Sequence, residues 1–423
     1  MAGKKKSAKN RKRSSSKEDS RSRKGYDSAD RGGAAGQKSS AEAGKKHRKR
    51  KKKHTGLKIL LLVIEILVIL LLIAGLYVWS KLDAIERTDL DEEEISSSIS
   101  EEIDEELVQG YTNIALFGLD NRSSGNLDSG LSDSIMVVSI NNETQEIRLI
   151  SVYRDTYLAQ GDSDNYSYRK ANAAYSNDGP TGAIKMLNTN LDLDITDYVT
   201  VDMYALAEVV DLVGGVEITV TSAEIGYLND YIDATSEIVE KSSSHIYSAG
   251  TYVLDGVQAT AYCRIRYTSG GDFTRAQRQR TVLAQLFKAA RSSSLTTINS
   301  IIDTVLPDIE TSLTNAEILA MAAKITSYTL ADTSGFPFDV TTATYDSVGS
   351  VDVPCTLESN VIKLHAFLFP ELEYEPSLTV QAISDTIIQK TGKTEEDAVD
   401  YGLDDDDLAD ETEDAGSDEE TSE

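Results

Sequence analysis

Five arginines crowd into the segment YCRIRYTSGGDFTRAQRQR, Tyr262 to Arg280, in a part of the chain that is otherwise acidic. Arg264 and Arg266 are two residues apart beside Tyr262 and Ile265, so a strand there would project both from one face. Gly270-Gly271 ends that strand, and Asp272 is placed to cap the next element. Thr274 to Ala290 reads as a helix with Val282, Leu283, Leu286 and Phe287 inward. On such a helix Arg275, Arg278 and Gln279 share one side. A strand and a helix start would then aim guanidinium and amide donors at one place. That arrangement suits a multiply charged phosphate ligand.

Two carboxylates precede the cluster. Asp120 follows the apolar run Asn113 to Leu119, and Asp133 opens the next one. Mg²⁺ takes one or two carboxylates and completes its shell with water and phosphate oxygens. Arginines would then hold the remaining oxygens and offset charge on a leaving group. The alternative is that both aspartates are turn residues and the arginines pair with surface acids. Other chemistries have less support. Of the four histidines none has a ligand-spaced neighbour, which argues against a zinc site or a Ser-His-Asp triad. Neither GxxxxGK[ST] nor GxGxxG occurs, so a nucleotide-binding fold is not indicated.

The elements that must position these residues alternate. Ser134 to Ile140 and Glu146 to Val152, joined by Asn141-Asn142-Glu143-Thr144, read as a hairpin. Gly179 to Leu191 and Ala205 to Val213 read as helices, Tyr198 to Val201 and Val216 to Val220 as strands. Glu224 to Tyr247 is polar and reads as a surface excursion. After Ile298 to Leu306 and Asn315 to Thr329, both helical, Asp339 to Pro354 gives a late strand pair and Asn360 to Phe369 a last helix. The expected class is α/β, with a mixed central sheet flanked by helices.

Charge divides the chain. The first 53 residues hold 21 of the 42 Lys/Arg and only 5 of the 70 Asp/Glu, although the net charge is −28. Ile59 to Trp79 is almost uninterruptedly apolar, with Glu65 its one charge, and is long enough to cross a bilayer. The cluster Lys45 to Lys53 before it puts the N-terminus in the cytoplasm and the rest outside the cell. The expected division is a basic disordered cytoplasmic segment over 1–56, a single transmembrane helix over 57–80 and an acidic stalk over 81–110. A folded domain over 111–371 and an acidic disordered tail over 372–423 complete it. The basic segment attracts anionic membrane lipids and is no specific nucleic-acid reader. Cys263 and Cys355 lie on the oxidising side, where both a bridge and two buried thiols are open.

The succession NIALFGLDNR, LSDSIMVVSIN, LISVYRDT, KANAAY, VTVDMYALAEVVDLVGGVEI, LDGVQATAYCRIRY and GDFTRAQRQ resembles the extracellular LytR–CpsA–Psr domain from about Tyr111 to Ala290. The resemblance implies a cell-wall glycopolymer ligase of Gram-positive-type bacteria. Such a phosphotransferase moves wall teichoic acid, capsule or a related anionic glycan from a polyprenyl-pyrophosphate carrier to peptidoglycan. It implies metal-associated aspartates at Asp120 and Asp133, using Mg²⁺ or Mn²⁺. It places pyrophosphate contacts at Arg122, Arg154, Lys170, Arg264, Arg266, Arg275 and Gln279, with Asp120, Asp133, Arg154 and Arg266 as the catalytic set. Asp155 and Asp272 take support roles. Tyr153, Thr274 and Cys263 depart from the family's usual proline, glycine and aliphatic residue without removing a charge. Two rival functions stand beside it: a polyprenyl-pyrophosphate hydrolase, which the same residues would serve, and a non-catalytic regulatory or binding protein of the envelope, which placing the basic tip and the folded domain on opposite sides of the membrane argues against.

Overall fold

The structure is a computed structural model that describes residues 69, 90–103, 109–119, 127, 131–305 and 308–402. The expected basic segment, all of the expected membrane span but Ile69, and the tail from residue 403 lie outside the described residues. So do Asp120 and Arg122. Among the described residues no helix is long and apolar enough to cross a membrane.

The chain enters through a short helix, α1 (Glu92–Ser98), which Asp91 caps by accepting the Glu94 N–H. The sequence suggests stalk here, yet Ile95 is buried in the main core and Glu94 pairs with Lys185 at 3.1 Å. Strands β1 (Tyr111–Leu119), β2 (Ser132–Asn141) and β3 (Glu146–Val152) come next and pair antiparallel in sequence order. The β2–β3 turn is the one expected, and Asn141 fixes it by accepting the N–H groups of Glu143 and Thr144. Beyond them lie the small hairpin β4 (Tyr157–Gln160) and β5 (Ser167–Lys170), helix α2 (Ala173–Leu191), and β6 (Asp197–Val201), which runs parallel to β1.

A second layer is built from α3 (Met203–Val213), β7 (Val216–Val220), α4 (Ile225–Ile238), β8 (Gly250–Leu254), α5 (Gly256–Tyr262) and the long α6 (Gly271–Ser292). Helix α4 corrects the expected surface excursion, since Leu228, Ile232 and Thr235 are buried. The strand expected over Tyr262 to Arg266 is also absent. A capping box between Asp255 and Gln258 starts a helix that runs to Tyr262, and the Ile265 N–H then turns back to the Tyr262 carbonyl.

The remaining elements are α7 (Leu295–Thr304), β9 (Glu310–Thr311), α8 (Asn315–Ala323), β10 (Thr329–Phe336), β11 (Val340–Tyr345), β12 (Gly349–Pro354), α9 (Leu357–Leu368) and α10 (Leu378–Thr391). Strand β10 lies parallel to β3, so the central sheet has the mixed order β10-β3-β2-β1-β6-β9. One sheet face, with Ala115, Phe117, Ile135, Val137 and Ile150, packs on α2, α9 and α10. The other face carries Ile140 and Ile147, against which Val138 and Phe287 of α6 pack. Helix α2 is core: Ile184, Leu187 and Leu191 are fully buried. Both cysteines are buried free thiols.

The chain past residue 371 is folded up to residue 402, and α10 is part of the core. Val380, Ile383 and Ile387 are 0–1% exposed and belong to the main apolar cluster. Ile387→Ala should therefore cost about 2–5 kcal/mol, the range for truncating a core aliphatic side chain. A urea unfolding midpoint equal to that of the unchanged protein would show that this segment is not core.

Candidate active site

The sheet topology gathers one edge. Strand β2 begins where β1 ends, β3 runs back to the same edge, and β10 ends beside it. Asp133 is the second residue of β2, and Arg154 and Asp155 follow the last residue of β3. Gly270 and Gly271, with φ of 79° and 55°, make the left-handed turn into α6 that an L side chain resists. That turn delivers Asp272 and Arg275 to the same edge, at the helix N-terminus. Gly270 is the N-cap, so Asp272 is not the cap the sequence suggested. Its carboxylate is turned to the arginines instead.

Three guanidinium groups converge on Asp133. Arg154 Nη1 donates to Oδ1 at 3.0 Å, Arg266 Nη2 to Oδ2 at 2.6 Å, and Arg275 Nη1 lies 3.5 Å from Oδ2. Arg275 Nη2 also donates to the Asp133 carbonyl at 3.0 Å. Asp272 forms a second node: Arg154 Nη2 is 2.8 Å from its Oδ2, and Arg275 Nε is 3.4 Å from its Oδ1. Asp155 joins the network through Arg154 at 3.6 Å and Lys170 at 3.0 Å. Arg275 is only 4% exposed, whereas Arg154, Arg266 and Lys170 keep a solvent-facing part. Arg275 thus braces the cluster from below while the other three reach outward.

Burial works to raise the Asp133 pKa, but Arg154, Arg275 and Arg266 beside it hold it below its ordinary value. Burial also pushes Arg275 down, to about 10, so it is still charged at neutral pH.

A fourth carboxylate was not singled out from the sequence. Asp352 on β12 is 6% exposed, and its N–H donates to the Asp155 carbonyl at 2.8 Å. Burial, then the nearby charges of Asp155 and Asp272, push it up to about 7 against the pull of Lys170 and Arg154. A lone aspartate in an alternating Val/Thr segment carries no signal that could have found it.

A small aromatic core backs the cluster. Tyr153, just before Arg154, meets Phe273, just after Asp272, edge to face at 4.6 Å. Phe273 in turn packs on Tyr401 at 4.5 Å. Gly335 makes room for Tyr153, since a Cβ there would lie 2.0 Å from its hydroxyl.

The structure therefore brings Asp133, Arg154, Lys170, Arg266 and Arg275 together, with Asp155 and Asp272. Asp120 and Arg122 lie outside the described residues. Arg264 is turned elsewhere: Nη1 donates to Thr235 Oγ1 at 2.9 Å, and its guanidinium lies over the Tyr231 ring. Without the expected strand, nothing holds Arg264 and Arg266 to one face. Gln279 Nε2 donates to the Cys263 carbonyl at 3.4 Å, steadying the turn that bears Arg266. Arg278 and Arg280 are buried rather than solvent-facing. Arg278 is paired with Glu224 at 2.7 Å.

A mixed sheet that collects four cationic side chains among carboxylates at one edge defines a domain suited to holding a multiply charged anion. The chain belongs to the LytR_cpsA_psr family, which matches residues 74–351. The polyisoprenyl-teichoic acid–peptidoglycan teichoic acid transferase TagU of Bacillus cereus (strain AH820) is 29% identical over 275 residues, covering 62% of this chain and 82% of that protein. The crystal structure of B. subtilis TagV matches with a TM-score of 0.51 and 26% identity, over 63% of this chain and 99% of that one. Protein gbs0355 from Streptococcus agalactiae shares the fold, with a TM-score of 0.53 and 23% identity over 75% of this chain and 99% of that one.

The folded chain binds the Asp352 proton more tightly than the unfolded chain does, so its stability falls as pH rises between about 4 and about 7. Asp352→Asn removes that penalty. The variant should gain stability over the unchanged protein near pH 8, and the gain should shrink as pH falls from about 7 to about 4. Urea midpoints across that range test this, and a difference that does not vary with pH would contradict it.

Proposed function

We propose that this protein is a membrane-anchored phosphotransferase that moves an anionic glycopolymer from a polyprenyl-pyrophosphate carrier onto peptidoglycan. The observation that carries this reading is the convergence of Arg154, Arg266 and Arg275 on Asp133 at 2.6–3.5 Å, with Lys170 alongside. Guanidinium groups match phosphate oxygens in geometry and charge, and a pyrophosphate can replace the carboxylates as their partner. The family membership and the name of the TagU relative support the same chemistry.

In the proposed reaction Arg154, Arg266 and Lys170 grip the pyrophosphate and Arg275 holds Asp133 and Asp272 in place. An acceptor hydroxyl on peptidoglycan attacks the polymer-proximal phosphorus. The new P–O bond makes a phosphodiester, the bridging P–O bond breaks, and polyprenyl phosphate leaves. The arginines stabilise the charge that builds on that leaving phosphate. The hydroxyl proton passes to a carboxylate, Asp133 or Asp120.

A divalent cation fits this donor set. Asp133 Oδ1 has one guanidinium partner at 3.0 Å, and a carboxylate oxygen can accept more than one. Asp133 and Asp120 would hold Mg²⁺ or Mn²⁺, which would offset phosphate charge. Among the described residues no group of three His, Cys, Asp or Glu side chains could hold a metal by itself.

The apolar run Ile59 to Trp79 behind a basic cluster supports a single-pass anchor with the domain outside the cell, beside the membrane that holds the carrier.

Arg154→Ala should lower transfer by about 100-fold or more, the usual cost of losing a donor aimed at developing charge, and Arg275→Ala should lower it as well by releasing Asp133 and Asp272. Arg275→Lys, which keeps the buried charge, separates loss of function from loss of folding. Excess chelator should likewise suppress turnover. Mass spectrometry of peptidoglycan incubated with the lipid-linked glycan reads all three. Undiminished transfer in both alanine variants would overturn the reading, and water-released polymer with no peptidoglycan product would make the protein a hydrolase.

A further inference from the structure

Arg264 and its neighbours form a row that the reaction above does not use. On α4, Tyr227, Tyr231 and Thr235 are four residues apart and share one helix face. The turn after α5 runs along that face. Arg264 donates to Thr235 at 2.9 Å, its guanidinium lies 5.3 Å from the Tyr231 ring centre, and the Tyr267 ring lies 6.0 Å from that of Tyr227. Tyr267 is 70% exposed and Tyr227 38% exposed. Two aromatic rings in contact at the surface present a platform on which a flat or ring-shaped group can stack.

The row is held rigidly. From α6, Arg278 donates through Nε to Glu224 at 2.7 Å, through Nη1 to the Ile265 carbonyl at 3.1 Å, and through Nη2 to Thr268 at 2.7 Å. One buried guanidinium therefore ties the start of α4 to the turn. The row is also continuous with the site, because Tyr267 follows Arg266, whose guanidinium faces Asp133.

The geometry points to a glycan subsite here, with Tyr227 and Tyr267 stacking on sugar rings and Arg264 taking an anionic group of the same chain. The occupant is the polymer of the donor, past the disaccharide that follows its pyrophosphate; this rests on the transferase reading above. Two observations favour that occupant. The row starts at Tyr267, next in the chain to Arg266, and it sets stacking rings beside one guanidinium, the groups that a glycan bearing negative charge can use. Tyrosine suits the role, as its ring is rigid and its hydroxyl stays wet.

The test compares two donors with the full-length protein, a polyprenyl pyrophosphate carrying an anionic oligomer and one carrying a single disaccharide. The Tyr227→Ala/Tyr267→Ala variant should raise KM for the oligomer donor about tenfold, with kcat and the short donor unaffected. Tyr227→Phe/Tyr267→Phe should behave as the unchanged protein. An unchanged KM for the oligomer donor, or an equal rise for both donors, overturns the subsite. A rise confined to the KM for peptidoglycan overturns it too, by making the acceptor the occupant. If the unchanged protein transfers neither donor, it is the transferase reading that fails. Tyrosine-fluorescence titration with lipid-free anionic oligomer then still decides the subsite: about tenfold weaker binding in the alanine variant upholds it, and equal binding refutes it.

Discussion

Asp133 carries a demand that the rest of the fold is arranged to meet: one carboxylate must hold three guanidinium groups that repel one another. Removing any positive charge from water is costly, and Arg275 is almost wholly buried. The cost is offset only if the acceptors are fixed. Asp133 is fixed by being the second residue of a central strand, and Asp272 by the first turn of a long helix. The mixed sheet matters because it sets the start of β2 beside the end of β3, and so Asp133 beside Arg154. Arg154, Arg266 and Lys170 keep part of their surface wet, so an incoming anion would meet cations already held in place by the carboxylates.

The arginines divide the labour by depth. Arg275 braces both carboxylates from beneath, while Arg266 and Arg154 keep donors towards solvent. Arg278 is three residues further along α6 and never reaches the site, yet it pins the turn from which Arg266 projects. Behind them the contacts Tyr153–Phe273–Tyr401 join the end of β3, the start of α6 and the segment after α10. The far C-terminal part of the described chain thereby supports the site from the rear.

Much of this was legible in the sequence, and the parts that were not have physical reasons. The β2–β3 hairpin could be read because its strands are rich in β-branched residues and Asn141 marks the turn. Helix α6 and the Gly-Gly turn were likewise legible, and with them Arg275. Arg264 was misplaced because a β-like run, YCRIRY, follows a capping box, and the helix it starts consumes Tyr262. Glu224 and Asp352 were invisible because their importance comes from partners far away in the chain. Helix α10 did carry a helical apolar spacing at Val380, Ile383 and Ile387, but the acidic residues after it dominated the composition.

A pyrophosphate clamp at the Asp133 cluster would be read out by ³¹P NMR of the full-length protein titrated with a short prenyl pyrophosphate. Both phosphorus resonances should shift and saturate, a prenyl monophosphate should bind at least about tenfold more weakly, and Arg154→Ala/Arg266→Ala should abolish the shifts. Equal binding of monophosphate and pyrophosphate, or shifts that persist in that double variant, would contradict the account.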